Sequence, residues 1–296
     1  SPLIRNSLVV QNGNRLQTRH GSSLASPRAW FEPQSADQWY WPADSTVDDG
    51  KLWVLLWRFE SSGTGMWDWR WIGTDLATLS LPDLRILSTT PLPNQNRVMY
   101  GAAIVETPEH LYVYGVEDLS DRRYVHLART SRGGLLAPWQ YFNGRRWSSE
   151  AQRSARIHQG TANQFSVIAL AGQYVLITMD DRSPWSRDIV AYAADAPSGP
   201  WPTLPAALLY RAPLPADEIV AYNALAHPQF TRNGRWLISY NVNAVSDSTL
   251  VYGNADFYRP WFIRVDLRRM LEVRAFTPYK SLSASMSARR RPKSDW

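Results

Sequence analysis

The sequence predicts an all-β fold, a five-bladed β-propeller whose first blade is incomplete at the N-terminus, and three observations predict it. Segments with strand character outnumber helical ones: LWVLLWRF (52–59), HLYVYGVED (110–118), QYVLITMDD (173–181) and RWLISYNVN (235–243) are short, rich in β-branched or aromatic residues, and bounded by turn residues. Each follows a hairpin turn, DDGK (48–51), TPEH (107–110), AGQ (171–173) or RNGR (232–235). The strands before those turns open at Tyr40, Tyr100, Asn163 and Tyr222, separated by 60, 63 and 59 residues. Such a period is too long for a two-stranded unit and right for a four-stranded antiparallel blade.

Taken in order, NSLVVQNGNRLQTRHG (6–21) reads as an outer hairpin around Gly13, and the inner hairpin that would precede it falls before Ser1. The next three units each supply an outer strand pair after the inner hairpin: WDWRWIGTDL with LRILSTT, YVHLART with WQYFNGRRW, and DIVAYAAD with ALLYRAP. Helix is expected only as short turns, at Thr74 to Ser80 and Leu267 to Leu271. Residues 1–279 then form a single propeller domain, and 280–296 a Ser-rich, basic tail. Two stacked β-sandwiches are the competing architecture, but sandwiches lack one regular long period.

Composition narrows the function. With 32 Lys+Arg against 26 Asp+Glu among 296 residues the formal charge is +6, charged residues are 20%, and aromatics reach 12% with 15 Trp and 14 Tyr. That balance excludes a disordered chain. The longest apolar stretch, Phe165 to Thr178, is broken by Gly172 and Gln173, so no membrane span is expected. The absence of Cys excludes disulfides, thiolate metal sites and a Cys nucleophile. No G-x-G-x-x-G, P-loop, H-E-x-x-H or G-x-S-x-G pattern occurs, which argues against nucleotide binding and zinc proteolysis. The opening SPLIRNSLVV carries no apolar leader, so the chain is expected to be cytosolic, processed or cut from a longer precursor.

In a propeller, the starts of inner strands and the ends of their partners share one face around the axis. That rule gathers Trp39, Tyr40, Trp41, Asp44, Arg58 and Glu60; Tyr100, Glu117 and Asp118; His158, Gln159, Asn163, Gln164, Asp180 and Asp181; and Tyr222, Asn223, His227, Tyr240, Asn241 and Asn243. Flat aromatic faces with amide and carboxylate partners suit vicinal hydroxyls, hence carbohydrate. Glycosidic cleavage needs two carboxyl groups flanking the bond. Asp44, after the aromatic run WYWPAD, is the candidate ionised partner; its alternative is an Asp closing the turn after Pro42. Glu117, in YGVED, is the candidate acid with a pKa raised by apolar neighbours; its alternative is a rim carboxylate paired to Arg122 or Arg123. His227 is read first as a satisfied structural histidine. Trp39, Trp41, Trp57 and Trp185 are placed near the ligand, and no metal-binding residues are assigned.

The segments WYWPADSTVDDGKLWVLLWRF, YGAAIVETPEHLYVYGVEDLSDRRYVHLAR, WQYFNGRRW and AHPQF…LISYNVN…FYRPWFIRVDL, in that order, resemble a bacterial family of five-bladed propellers. In that family, long known only as a domain of unknown function, endo-D-arabinanases were recognised, and its architecture is similar to the arabinanase and levansucrase propellers. The resemblance runs from Arg5 to about Leu267. It implies a secreted or periplasmic bacterial protein, a monomer acting on furanose polysaccharide with carboxylates at the axial mouth. No cofactor is implied beyond a structural Ca2+ ion that the central channel would accommodate. Members carry an FGDT-type acidic strand before the NSLVVQNG-like segment, and nothing here matches it; either a piece lies upstream or the molecule is a non-hydrolytic relative.

The first expectation is therefore a glycoside hydrolase of arabinofuranose-containing polymers, with Asp44 as base or nucleophile, Glu117 as acid, and Trp39, Trp41, Tyr100, Asn163, Asn223, His227, Asn241 and Arg259 contacting sugar. The second is a carbohydrate-binding propeller without turnover. A third, a polyanion-binding scaffold, rests on the +6 charge and the RRRPK run, and predicts affinity that collapses with salt. Nucleic acid is not an expected partner.

Overall fold

The computed structural model describes residues 4–23, 25–65, 67–93, 96–214, 218–244 and 249–267. Among these residues the chain forms a two-stranded hairpin, β1 (Leu8–Asn12) and β2 (Arg15–Arg19), followed by four antiparallel sheets. Sheet I is β3 (Gln38–Asp48), β4 (Lys51–Ser61), β5 (Trp69–Ser80) and β6 (Ile86–Pro91). Sheet II is β7 (Met99–Glu106), β8 (His110–Asp118) and β9 (Arg123–Ser131), with its fourth position broken in two. There β10 (Gln140–Phe142), extended by β11 (Trp147–Ser148), pairs one half of β9, and β12 (His158–Gln159) pairs the other. Sheet III is β13 (Ser166–Leu170), β14 (Gln173–Met179), β15 (Asp188–Ala194) and β16 (Ala207–Arg211). Sheet IV is β17 (Ile219–Arg232), β18 (Arg235–Ala244) and β19 (Pro260–Asp266).

Each sheet is a meander in chain order, and the first strands pack in succession, β3 on β7, β7 on β13, β13 on β17. Successive meander sheets packed against one another with their first strands adjacent make an all-β propeller. Five full blades are not present among the described residues: four blade sheets are, and the hairpin β1–β2 stands where an outer pair was expected.

The hairpins form where the sequence places them. Asp49 and Gly50 take φ of 50° and 68°, Ala171 and Gly172 50° and 80°, and Asn233 and Gly234 51° and 70°, the left-handed pair of a type I′ turn. Gly101 is the one inner-strand glycine whose geometry is indispensable: at φ +113° a Cβ would lie 2.9 Å from Leu55 Cβ and 3.2 Å from Ala43 Cβ. Thr74 to Ser80, expected as helical turns, lies wholly in β5. Its residues are buried on both faces between neighbouring sheets, and that packing overrides a weak local preference. Helix is confined to Thr249–Gly253 and two 3-10 turns. Among the described residues no helix is long and apolar enough to cross a membrane. The tail 280–296, its boundary at 279, and the expected turn beyond Leu267 lie outside the described residues.

The core sits at the seams between sheets. Leu55 and Leu76 join Val98, Leu111 and Val113 between sheets I and II, while Ile177 and Ile189 join Ile238 and Val242 between III and IV. Leu55, Leu56, Leu76 and Leu79 are fully buried, each such side chain contributing about 1.5–3 kcal/mol. Asn6 fastens the N-terminal segment to sheet I, donating to Phe31 O (3.0 Å) and Tyr40 O (3.1 Å) while accepting from Phe31 N–H (2.8 Å).

Candidate functional site

The inner strands share a device that the sequence conceals. β3, β7 and β17 each carry a two-residue bulge, after Pro42, Tyr100 and Tyr222 respectively. Tyr100 and Tyr222 are therefore equivalent, but their counterpart in sheet I is Pro42, two residues beyond the expected Tyr40. The second bulge residues are Asp44, Ala102 and Ala224, so one seam carries a carboxylate where two others carry a methyl group.

Asp44 Oδ2 accepts from the backbone N–H of Ile104 on the next inner strand (2.7 Å), and Oδ1 from its neighbour Ser45 N–H (2.8 Å). Ser166 repeats the stitch at another seam, accepting from Ala226 N–H at 2.9 Å. Below Asp44, Thr46 donates to Glu106, whose other oxygen accepts from Arg132 (2.9 Å). All three inter-strand stitches span 60 residues, the propeller period made physical. The Asp44 residue keeps partial exposure. Burial pushes its pKa from 3.8 up to about 6; the Ile104 and Ser45 N–H groups pull down and the Glu106 charge pushes up.

Glu117 does not meet Asp44. Ile104 stands opposite Val113, and Glu117 lies four residues further along β8, about 13 Å at the strand rise. Its carboxylate accepts from Arg156 at 2.7 and 3.1 Å and lies 3.4 Å from His126 Nε2. The apolar environment expected for it is absent: the Arg156 hydrogen bond, outweighing burial, holds its pKa below the ordinary carboxylate value. Glu106 is closer to Asp44, two residues past Ile104 on the same side of β7, a step of about 7 Å.

Other expected sugar-contacting residues are taken up elsewhere. Trp41 packs into an aromatic cluster with Phe59 (4.3 Å) and Trp69 (4.9 Å). Trp39 lies under the Arg5 guanidinium (4.4 Å), and Trp57, 2% exposed, donates to Tyr100 O. Trp185 is 48% exposed. Tyr100 is buried, its hydroxyl bonded to Ser154 (3.0 Å) and Asn96 (3.3 Å). Asn163 donates to Asp118 (2.8 Å) and accepts from Arg123 (2.8 Å), and Arg123 also grips Asp181. His227 bonds Ser239 at 2.7 Å, the structural role, with its pKa lowered by burial. Arg259 pairs with Asp256 at 2.6 Å and covers Trp261. Asn223, at φ 53°, lies in the β17 bulge, and Asn241 stands opposite Tyr222 on β18.

Residues missed in the sequence include Thr46, Glu106, Arg132, His126, Ser154 and Arg156. The 60-residue offset from Thr46 would have found Glu106; nothing local marks Ser154 or Arg156, which sit in the excursion that breaks the fourth strand of sheet II. Among the described residues no three His, Asp or Glu side chains gather to hold a metal.

No curated protein matches the sequence. A crystal structure from Bacteroides ovatus, provisionally described as a hydrolase, is 23% identical with a TM-score of 0.70, covering 84% of this chain and 70% of that one. At that identity the likeness is one of fold. An α-L-arabinanase variant of Cellvibrio cellulosa is 12% identical over 77% of this chain and 73% of its own, with a TM-score of 0.43. An exo-β-1,3-galactanase of Phanerochaete chrysosporium is 14% identical over 79% and 48%, with a TM-score of 0.47. The model of the family described as a domain of unknown function, DUF5005, matches residues 1–290, and to that family this propeller belongs.

Proposed function

We propose that the protein is a glycoside hydrolase acting on arabinofuranose-containing polysaccharide, in the manner of an endo-D-arabinanase, inside the channel of the propeller. One observation carries the reading: Asp44, whose pKa is pushed to about 6, shares one seam with a second carboxylate, Glu106, through bonds made two residues apart on both β3 and β7, and feels its charge. Two carboxyl groups 5 to 9.5 Å apart are what cleavage of a glycosidic bond requires. Asp44, protonated in part near neutrality, gives its proton to the leaving oxygen. Glu106, paired to Arg132, serves the opposite face of the sugar. This replaces Glu117 with Glu106 as partner and leaves Glu117 on the rim.

In the same reading the hairpin β1–β2 is the outer half of a fifth blade, and the protein works outside the cytoplasm as a monomer. The test is release of reducing ends from D- and L-arabinan: Asp44→Asn and Glu106→Gln abolish it, and Glu117→Gln does not. Full turnover by Asp44→Asn would sink the reading. The rival, a carbohydrate-binding propeller without turnover, is favoured by one feature, the backbone N–H bonds that occupy both Asp44 oxygens. It predicts saturable arabinan binding without new ends.

A further inference from the structure

A cleft of about 220 Å³ opens between sheets I and II, bounded by β5, the start of β7 and the segment leading into β10. Its floor carries Thr74 and Tyr100, its walls Trp71, Trp139 and Tyr141, and its lip Leu136, which is 53% exposed. Trp139 meets Tyr100 edge-on at 5.7 Å and 84°, and Tyr141 leans on Tyr100 at 5.7 Å. The polar ends of two of these rings are tied down, the Tyr100 hydroxyl to Ser154 and Asn96 and the Trp139 indole to Leu135 O (2.8 Å). The aromatic faces are thereby fixed before anything binds.

Two polar groups on the wall and floor are left over. The Trp71 indole N–H and the Thr74 hydroxyl are buried and, among the described residues, have no hydrogen-bond partner, and Thr74 is only 5% exposed. Leaving such groups unmet costs about 1–3 kcal/mol each, so the cleft favours an occupant that meets them. The indole only donates and the hydroxyl does both, a set that a polyol hydroxyl complements. Among the described residues neither a carboxylate nor a cationic side chain lines the cleft, which disfavours ions of both signs. The volume holds one five- or six-membered ring.

We propose that this inter-blade cleft is a second carbohydrate site, taking one neutral sugar unit of a glycan chain that is stacked on Trp139 and Tyr141 and bonded by Trp71 and Thr74. The carbohydrate reading of the channel is needed only to choose the sugars for the test. Indole ¹⁵N–¹H spectra are recorded while methyl arabinofuranosides of both enantiomers and methyl xyloside are added. The Trp71 resonance, assigned through Trp71→Phe, is expected to shift saturably with at least one of them. Thr74→Val should weaken that binding about fivefold, and Leu136→Trp, at an exposed lip position that leaves folding intact, should abolish it while Asp44→Asn leaves it unchanged. A Trp71 resonance that stays still with every sugar, or a shift that survives Leu136→Trp, overturns the proposal. Sugar binding here without any arabinan cleavage leaves the cleft standing and removes only the hydrolase reading.

Discussion

Replacing Asp44 by Asn separates two consequences of one buried carboxyl. Its rise from 3.8 to about 6 corresponds to about 3 kcal/mol between charge states. Water in the bore screens part of this, so about 1–2 kcal/mol is the effect to look for. The sign follows from the direction: a carboxyl whose folded pKa is raised contributes stability that is complete below pH 3.8 and lost as pH climbs through 6. Against this stands the amide itself. Asn offers one acceptor where Asp offers two, so either the Ile104 or the Ser45 N–H faces an NH₂ group, costing about 1–3 kcal/mol at every pH. Asp44→Asn should thus be less stable than the parent at pH 4.5, with the gap narrowing by about 1–2 kcal/mol at pH 8. Urea denaturation at the two pH values, read as the change in the gap between parent and variant, isolates this group from all others. A gap that is constant, or that widens with pH, would refute the assignment of a raised pKa to the channel wall. Reducing-end assays on the same samples then show whether lost turnover exceeds what lost folding explains.

Glu117→Gln is expected to lower stability at neutral pH and to flatten the acid limb below about pH 4.5, since a depressed carboxyl contributes stability above its unfolded pKa that is lost as pH falls; pH-dependent thermal melts check it. Gly101→Ala should cost more than about 2 kcal/mol, because φ +113° and the 2.9 Å approach to Leu55 act together; a urea midpoint within error of the parent would contradict the described bulge. Tyr114→Phe removes the hydroxyl that donates to Pro197 O at 2.8 Å and should cost about 1 kcal/mol without altering arabinan cleavage.

The propeller was legible because its signals are local and repeated. Asp-Gly and Asn-Gly turns force left-handed backbone wherever they occur, and alternating apolar strands read the same in every blade. The site was only partly legible, for an identifiable reason. A bulge inserts two residues without changing composition, so Tyr40 was aligned with Tyr100 when Pro42 is its counterpart, and levels along the bore came out wrong. Glu117 looked like an acid because Tyr114 and Val116 precede it, but a partner 39 residues away, Arg156, decides its charge. The same limit hid Glu106, whose meaning depends on Thr46 of the preceding inner strand.

Adjacent innermost strands here are sewn together by Asp44, Thr46 and Ser166 rather than by a continuous main-chain ladder. The spacing between neighbouring inner strands therefore depends on the reach of a few short side chains. Lengthening one by a methylene, as in Asp44→Glu, would spread a single seam and leave every blade intact, whereas shortening one would pinch it.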